Sequence, residues 1–132
     1  MERVVAVDPG RHKCGLAVFD HGQLVKQDVV ARSDVMAAIE PLLTAGSLVV
    51  VGDRTGSKKF VSEICSRFGI MESRIVLVDE HRSSEEARRR YWRENRPRGL
   101  RKLLPLGMQV PPEPVDDYVA VLLGERYLQA NK

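Results

Sequence analysis

Three short runs constrain what this chain can fold into. "RVVAVD" (residues 3–8), "SLVVVGD" (47–53) and "RIVLVD" (74–79) are continuous, rich in β-branched residues, and each ends on a carboxylate. A run without polar alternation suits a strand buried on both faces, which requires helices above and below its sheet. Two further strand-like runs, 15–20 and 23–30, are separated by Asp20-His21-Gly22-Gln23, a hairpin turn by composition. Helical spacing appears at Val35, Met36, Ile39, Leu42 and Leu43, with Ser33 as the expected cap, and again at Phe60, Val61, Ile64 and Phe68. Ser83 and Glu86 have capping-box spacing and open a third helix that runs to about Glu94. A Pro- and Gly-rich loop follows over 96–114, and a last, largely apolar helix runs from about Val115 to Gln129. The order β-β-β-α-β-α-β-α-α predicts an α/β fold with a mixed sheet. In such sheets ligands bind at the carboxyl ends of the strands, near a topological switch point.

At 132 residues the chain is expected to be a single domain spanning 1–132. No signal peptide is visible, and no apolar run reaches the roughly 18 residues of a membrane span, so the expected location is the cytoplasm. Cys14 and Cys65 are far apart, and His12, His21 and His81 do not cluster, which argues against a zinc enzyme and fits free thiols in a reducing compartment. The charge is uneven. Residues 82–102 carry eight arginines and Lys102 against three glutamates, a local +6 that leaves the other 111 residues at −3. Such a block suits a polyanion partner, although a solvated helix face has the same composition.

The acids supply the second signal. Asp8, Asp53 and the pair Asp79–Glu80 end strands, and Asp116–Asp117 open the last helix. Each has a plain explanation: a turn hydrogen bond for Asp8 or Asp53, a cap or arginine partner for Asp79–Glu80, and helix-dipole stabilisation for Asp116–Asp117. Of the four, Asp53 is best read in this structural way. Gathered together, carboxylates repel unless a cation compensates them, and Mg²⁺ prefers such oxygen ligands. Two ions about 4 Å apart can clamp the attacking and leaving oxygens of a phosphodiester.

Three stretches, "AVDPGRHKCGLAVFD", "VLVDEHRSSEEARRRY" and "PVDDYVAVLLGERYL", resemble in order and spacing the motifs of the YqgF/RuvX family. These are small bacterial nucleases with an RNase H-like fold, related to the RuvC Holliday junction resolvases. The resemblance covers the whole chain and implies a five-stranded mixed β-sheet flanked by α-helices. It implies Asp8, Glu80 and Asp116 as catalytic carboxylates and ligands of a two-metal Mg²⁺ or Mn²⁺ site. Asp117 stands beside Asp116 as a further catalytic candidate, because helix rotation decides which of the two faces the metals. The family's arginine after the acid pair is replaced by His81, followed by Arg82, and its threonine pair by Ser83 and Ser84. Arg11 stands where relatives often have threonine.

The implied function is a metal-dependent endonuclease whose partner is nucleic acid, with no membrane and as a monomer or homodimer. Its substrate is either the 5′ end of the 16S ribosomal RNA precursor, which is favoured, or a four-way DNA junction. Arg11 and Lys13 would lie near the scissile phosphate, and Arg88, Arg89 and Arg93 would bind the backbone. Trp92 is placed either to stack on an unpaired base or to pack internally. Two readings from other classes remain. One is a nucleotide-binding module of the actin and sugar-kinase type, which normally needs two such domains. The other is a catalytically inactive nucleic-acid adaptor.

Overall fold

The computed structural model describes residues 3–43, 47–53, 56–70, 72–79, 86–87, 89–90, 93 and 116–130. Five strands form one sheet: β1 (Arg3–Asp8), β2 (Lys13–Asp20), β3 (Gln23–Ala31), β4 (Leu48–Asp53) and β5 (Ile75–Asp79). Their spatial order is β3-β2-β1-β4-β5. Strands β1, β2 and β3 pair antiparallel, while β1, β4 and β5 are parallel. The predicted mixed sheet is therefore present, with β1 at its centre. The chain leaves β1 towards β2 and β3, then returns to the other side of β1 as β4, which makes the β1/β4 boundary the switch point. The hairpin between β2 and β3 holds His21 at φ 53° and Gly22 at φ 81°. Two consecutive positive φ angles are what a two-residue turn of the twist-compatible type requires.

The strand alternation sorts the core into two layers. Val5, Val7, Leu16, Val49 and Val51 pack with Val35, Met36, Ile39, Phe60 and Ile64. These last residues come from α1 (Val35–Ile39) and α2 (Ser57–Phe68). On the other face, Val4, Ala6, Ala17, Phe19 and Val50 pack with Ala87 and with Val119, Ala120, Val121 and Leu123 of α3 (Asp116–Ala130). Fully buried side chains such as Phe60, Leu16 and Ile64 each contribute about 1.5–3 kcal/mol by leaving water. Among the described residues, no helix is long and apolar enough to cross a membrane.

The first helix is shorter than the spacing predicts. Ser33 lies within a 3₁₀ turn (Arg32–Asp34) rather than at the cap, and α1 has five residues before a second 3₁₀ turn (Glu40–Leu42). Pro41 explains the end: it has no N–H to donate and its ring would crowd the preceding turn. Leu42 and Leu43 still pack against the core from beyond the helix. The second helix matches its expected face and stops at Gly69, whose φ of 66° suits glycine and whose N–H donates to the Cys65 carbonyl at 3.0 Å. The last helix runs as predicted. Most of residues 80–93 and all of 94–115, including the loop expected over 96–114, fall outside the described residues, but Glu86, Ala87, Arg89, Arg90 and Arg93 are helical, as expected.

Two interactions at the amino end of the sheet are testable. A methyl group on Gly124 would overlap the Phe19 ring, so α3 lies this close to β2 because glycine is there, and a side chain would force the ring or the helix to shift. Gly124→Val is expected to lower stability in urea unfolding by about 1–3 kcal/mol despite its better helix propensity. Adding Phe19→Leu should recover part of that loss. Nearby, the Arg3 guanidinium donates two hydrogen bonds to Asp20, at 2.8 and 3.0 Å. These hydrogen bonds, more than the charge attraction beside them, hold the Asp20 carboxyl below its ordinary range. A lowered folded-state value means the pair's contribution is complete above the unfolded Asp value of about 3.9. It is lost as pH falls below that value through the folded one. Asp20→Asn should therefore flatten the loss of melting temperature below about pH 4.

Candidate active site

Because β1, β4 and β5 are parallel, their carboxyl ends meet along one edge of the sheet. Asp8, Asp53 and Asp79 are the terminal residues of those strands, and Asp53 is directly in register with Asp79. Asp8 is 4% exposed and is the one buried charged residue among those described. Even-numbered β1 residues Val4 and Ala6 face α3, so alternation puts Asp8 on the same face. Its neighbours there are unusual. Gly15 of β2 lies directly opposite, and on β4 the residue following Val51, the partner of Val7, is Gly52.

Asp53 belongs elsewhere. Val49 and Val51 face α1 and α2, and Asp53 continues that alternation. Its exposed carboxylate accepts a hydrogen bond from the Ser57 hydroxyl at 3.3 Å, at the start of α2. That is the local structural role expected for it. The backbone of Asp116 opens α3, with Asp117 next. Glu80, His81, Arg88 and Trp92 lie outside the described residues, as do the side chains of Asp79, Asp116 and Asp117. Among the described residues, no three His, Cys, Asp or Glu side chains converge on one point.

The turn after Asp8 is tight. A Cβ at Gly10 would collide with the Lys13 carbonyl oxygen, so only glycine lets the chain double back there. Arg11, His12 and Lys13 are all exposed, beside the buried Asp8. The turn is held from behind by Arg32, a residue that carried no signal in the sequence. Its N–H donates to the His12 carbonyl at 2.8 Å. Its guanidinium lies 5.0 Å from the centre of the Phe60 ring and 3.4 Å from a Glu63 oxygen. The basic turn is thereby fastened to α2.

The arginine block divides into two sets. Arg90 pairs with Glu125 at 2.8 Å, and Glu86 pairs with Arg126 at 3.1 Å. These reciprocal pairs fasten the helical residues around Ala87, itself buried, onto α3. Arg89 and Arg93 are exposed and four residues apart, so they share a solvent-facing stripe. Of the arginines expected at the nucleic-acid backbone, Arg89 and Arg93 are thus solvent-facing and Arg88 lies outside the described residues, while Arg90, not among them, is paired with Glu125.

No protein-family model matches this sequence, and no curated protein matches it significantly. Solved structures do. RuvC from Thermus thermophilus in complex with a Holliday junction substrate is similar over 98% of this chain and 95% of its own, with a TM-score of 0.57 and 15% identity. A second Thermus thermophilus RuvC structure covers 98% and 97%, with a TM-score of 0.48 and 14% identity. At 15% identity the first of these likenesses shows the fold alone: a five-stranded mixed sheet with helices of the RNase H-like kind, matching the fold that the motifs imply.

The two arginine sets can be separated by stability. Arg90→Ala should cost about 0.5–1 kcal/mol in chemical unfolding, by releasing Glu125. Arg89→Ala should stay within about 0.5 kcal/mol of the parent.

Proposed function

We propose that this protein is a divalent-metal-dependent nuclease acting on structured nucleic acid. The observation that carries the reading is Asp8, a buried carboxylate at the carboxyl end of the central strand of an RNase H-like sheet, beside the switch point. The residues expected to join Asp8 as ligands, Glu80 and Asp116 or Asp117, would offer carboxylate oxygens rather than thiols or imidazoles, a set suited to Mg²⁺ or Mn²⁺. With glycine on both flanking strands, neither β2 nor β4 places a side chain beside Asp8 on its face of the sheet. Asp8, Glu80 and Asp116 would hold the metals, with Asp117 as the alternative on α3.

Metal ions bound there supply activation of water and neutralisation of charge on the phosphate. The protein's own residues do the rest. Asp8, at the end of a strand paired on both sides, keeps its carboxylate in a fixed place, so little reorganisation is needed during reaction. Arg11 and Lys13, on the turn braced by Arg32, would contact the phosphate next to the cut. Arg88, Arg89 and Arg93 would hold a more distant stretch of backbone, giving affinity without sequence preference. The motif resemblance favours the 5′ end of precursor 16S ribosomal RNA as substrate. Likeness to a resolvase bound to a Holliday junction supports the second reading, a four-way DNA junction.

The test offers both substrates in parallel, with Mg²⁺ or Mn²⁺, to the parent protein and to Asp8→Asn. Metal-dependent cleavage of one substrate by the parent, lost in the variant, is the expected result. Binding without cleavage would indicate an adaptor, and equal cleavage by Asp8→Asn would remove Asp8 from the mechanism. Arg89→Glu with Arg93→Glu should weaken binding and reduce the salt slope by about 0.9 per lost phosphate contact on duplex DNA.

A further inference from the structure

The face of the sheet that carries Asp8 is graded in size. At its amino end the neighbouring positions on β2, β1 and β4 are Phe19, Val4 and Leu48. The next row is Ala17, Ala6 and Val50. At the carboxyl end the row becomes Gly15, Asp8 and then Gly52, with Val29 of β3 and Val78 of β5 beyond the glycines. On the opposite face the same three strands keep Leu16, Val7 and Val51, all buried. Side chains therefore vanish from one face and at one row, on both sides of the buried acid.

Chain flexibility does not account for this. Both glycines are buried and lie within strands, and neither has a positive φ. Glycine inside a strand forfeits packing and carries an entropy cost, so it marks places where something must come close. Opposed residues on neighbouring strands have Cβ atoms about 4.5–5.5 Å apart. A methyl group at Gly15 would therefore stand next to the Asp8 Cβ, and one at Gly52 would add bulk to the same row from the β4 side.

We propose that Gly15 and Gly52 are positioning residues that reserve the space in which a divalent cation meets Asp8. The proposal rests on the reading of Asp8 as a metal-binding carboxylate. It goes further in assigning the capacity of the site to two residues that have no side chains.

The test is Mn²⁺ binding, measured by calorimetry and by Mn²⁺ electron paramagnetic resonance, without any nucleic acid. Thermal unfolding of each variant is followed in parallel. The parent should bind Mn²⁺, while Gly15→Ala and Gly52→Ala should each unfold cooperatively and bind roughly 10–100-fold more weakly. Val29→Ala, in the same row but one strand further out, should bind as the parent does. Unchanged Mn²⁺ affinity in folded Gly15→Ala and Gly52→Ala would overturn the proposal and leave the nuclease reading standing. Loss of the folded state in both variants would also overturn it, because the glycines would then serve packing alone. A parent protein that binds no Mn²⁺, and is indistinguishable from Asp8→Asn, would remove the nuclease reading itself.

Discussion

Strand β1 is hydrogen-bonded along both edges, antiparallel to β2 and parallel to β4, and the two registers must agree. A slip of one residue on either side would exchange its faces. Val5 and Val7 would then leave the α1/α2 layer, and Val4 and Ala6 would leave the α3 layer. Both cores thus depend on one pairing. Asp8 is the last residue of that strand, so its depth and the side of the sheet it occupies follow from the register. The depth of this carboxylate is thus set by the packing of Val4, Val5, Ala6 and Val7.

The positive charge is handled in two ways around that strand. Near Asp8 a glycine turn lifts Arg11, His12 and Lys13 into solvent, and Arg32 ties the turn to the α2 layer through Phe60 and Glu63. On the α3 side the arginine-rich helical residues are anchored by Arg90 and Glu86, which leaves Arg89 and Arg93 outward. Exposed ion pairs of this kind add little stability singly. Their effect is geometric: among the described arginines of the block they turn Arg90 towards α3 and leave Arg89 and Arg93 facing solvent.

How much of this was legible depends on the range of the interaction concerned. The strands, the hairpin at Asp20–Gln23 and the apolar face of α2 were readable because each is encoded within a few residues. Asp53 could be set aside because a turn with a nearby hydroxyl explains it, and Ser57 supplies that hydroxyl. Helix α1 was misjudged because apolar spacing outweighed Pro41, whose missing N–H ends the α-helical pattern. Gly15 and Gly52 looked like ordinary interruptions, since their significance arises only when both lie beside Asp8. Arg32 and Arg90 gave no warning at all: their partners, Phe60, Glu63 and Glu125, are 28 or more residues away in the sequence.

From its own order of residues, this chain determined the α/β class, the carboxylates that end its strands, and a basic segment apart from them. Those features are local: runs of β-branched residues, turn residues and clustered charge act over a few positions. The tertiary structure decided that Asp8 is buried while Asp53 is not, and that the two occupy opposite faces. It also decided that glycine flanks Asp8 on both sides, and which of the described arginines face solvent. These depend on which strands become neighbours and in what register, and only packing of the two helical layers against the sheet selects one register from the alternatives.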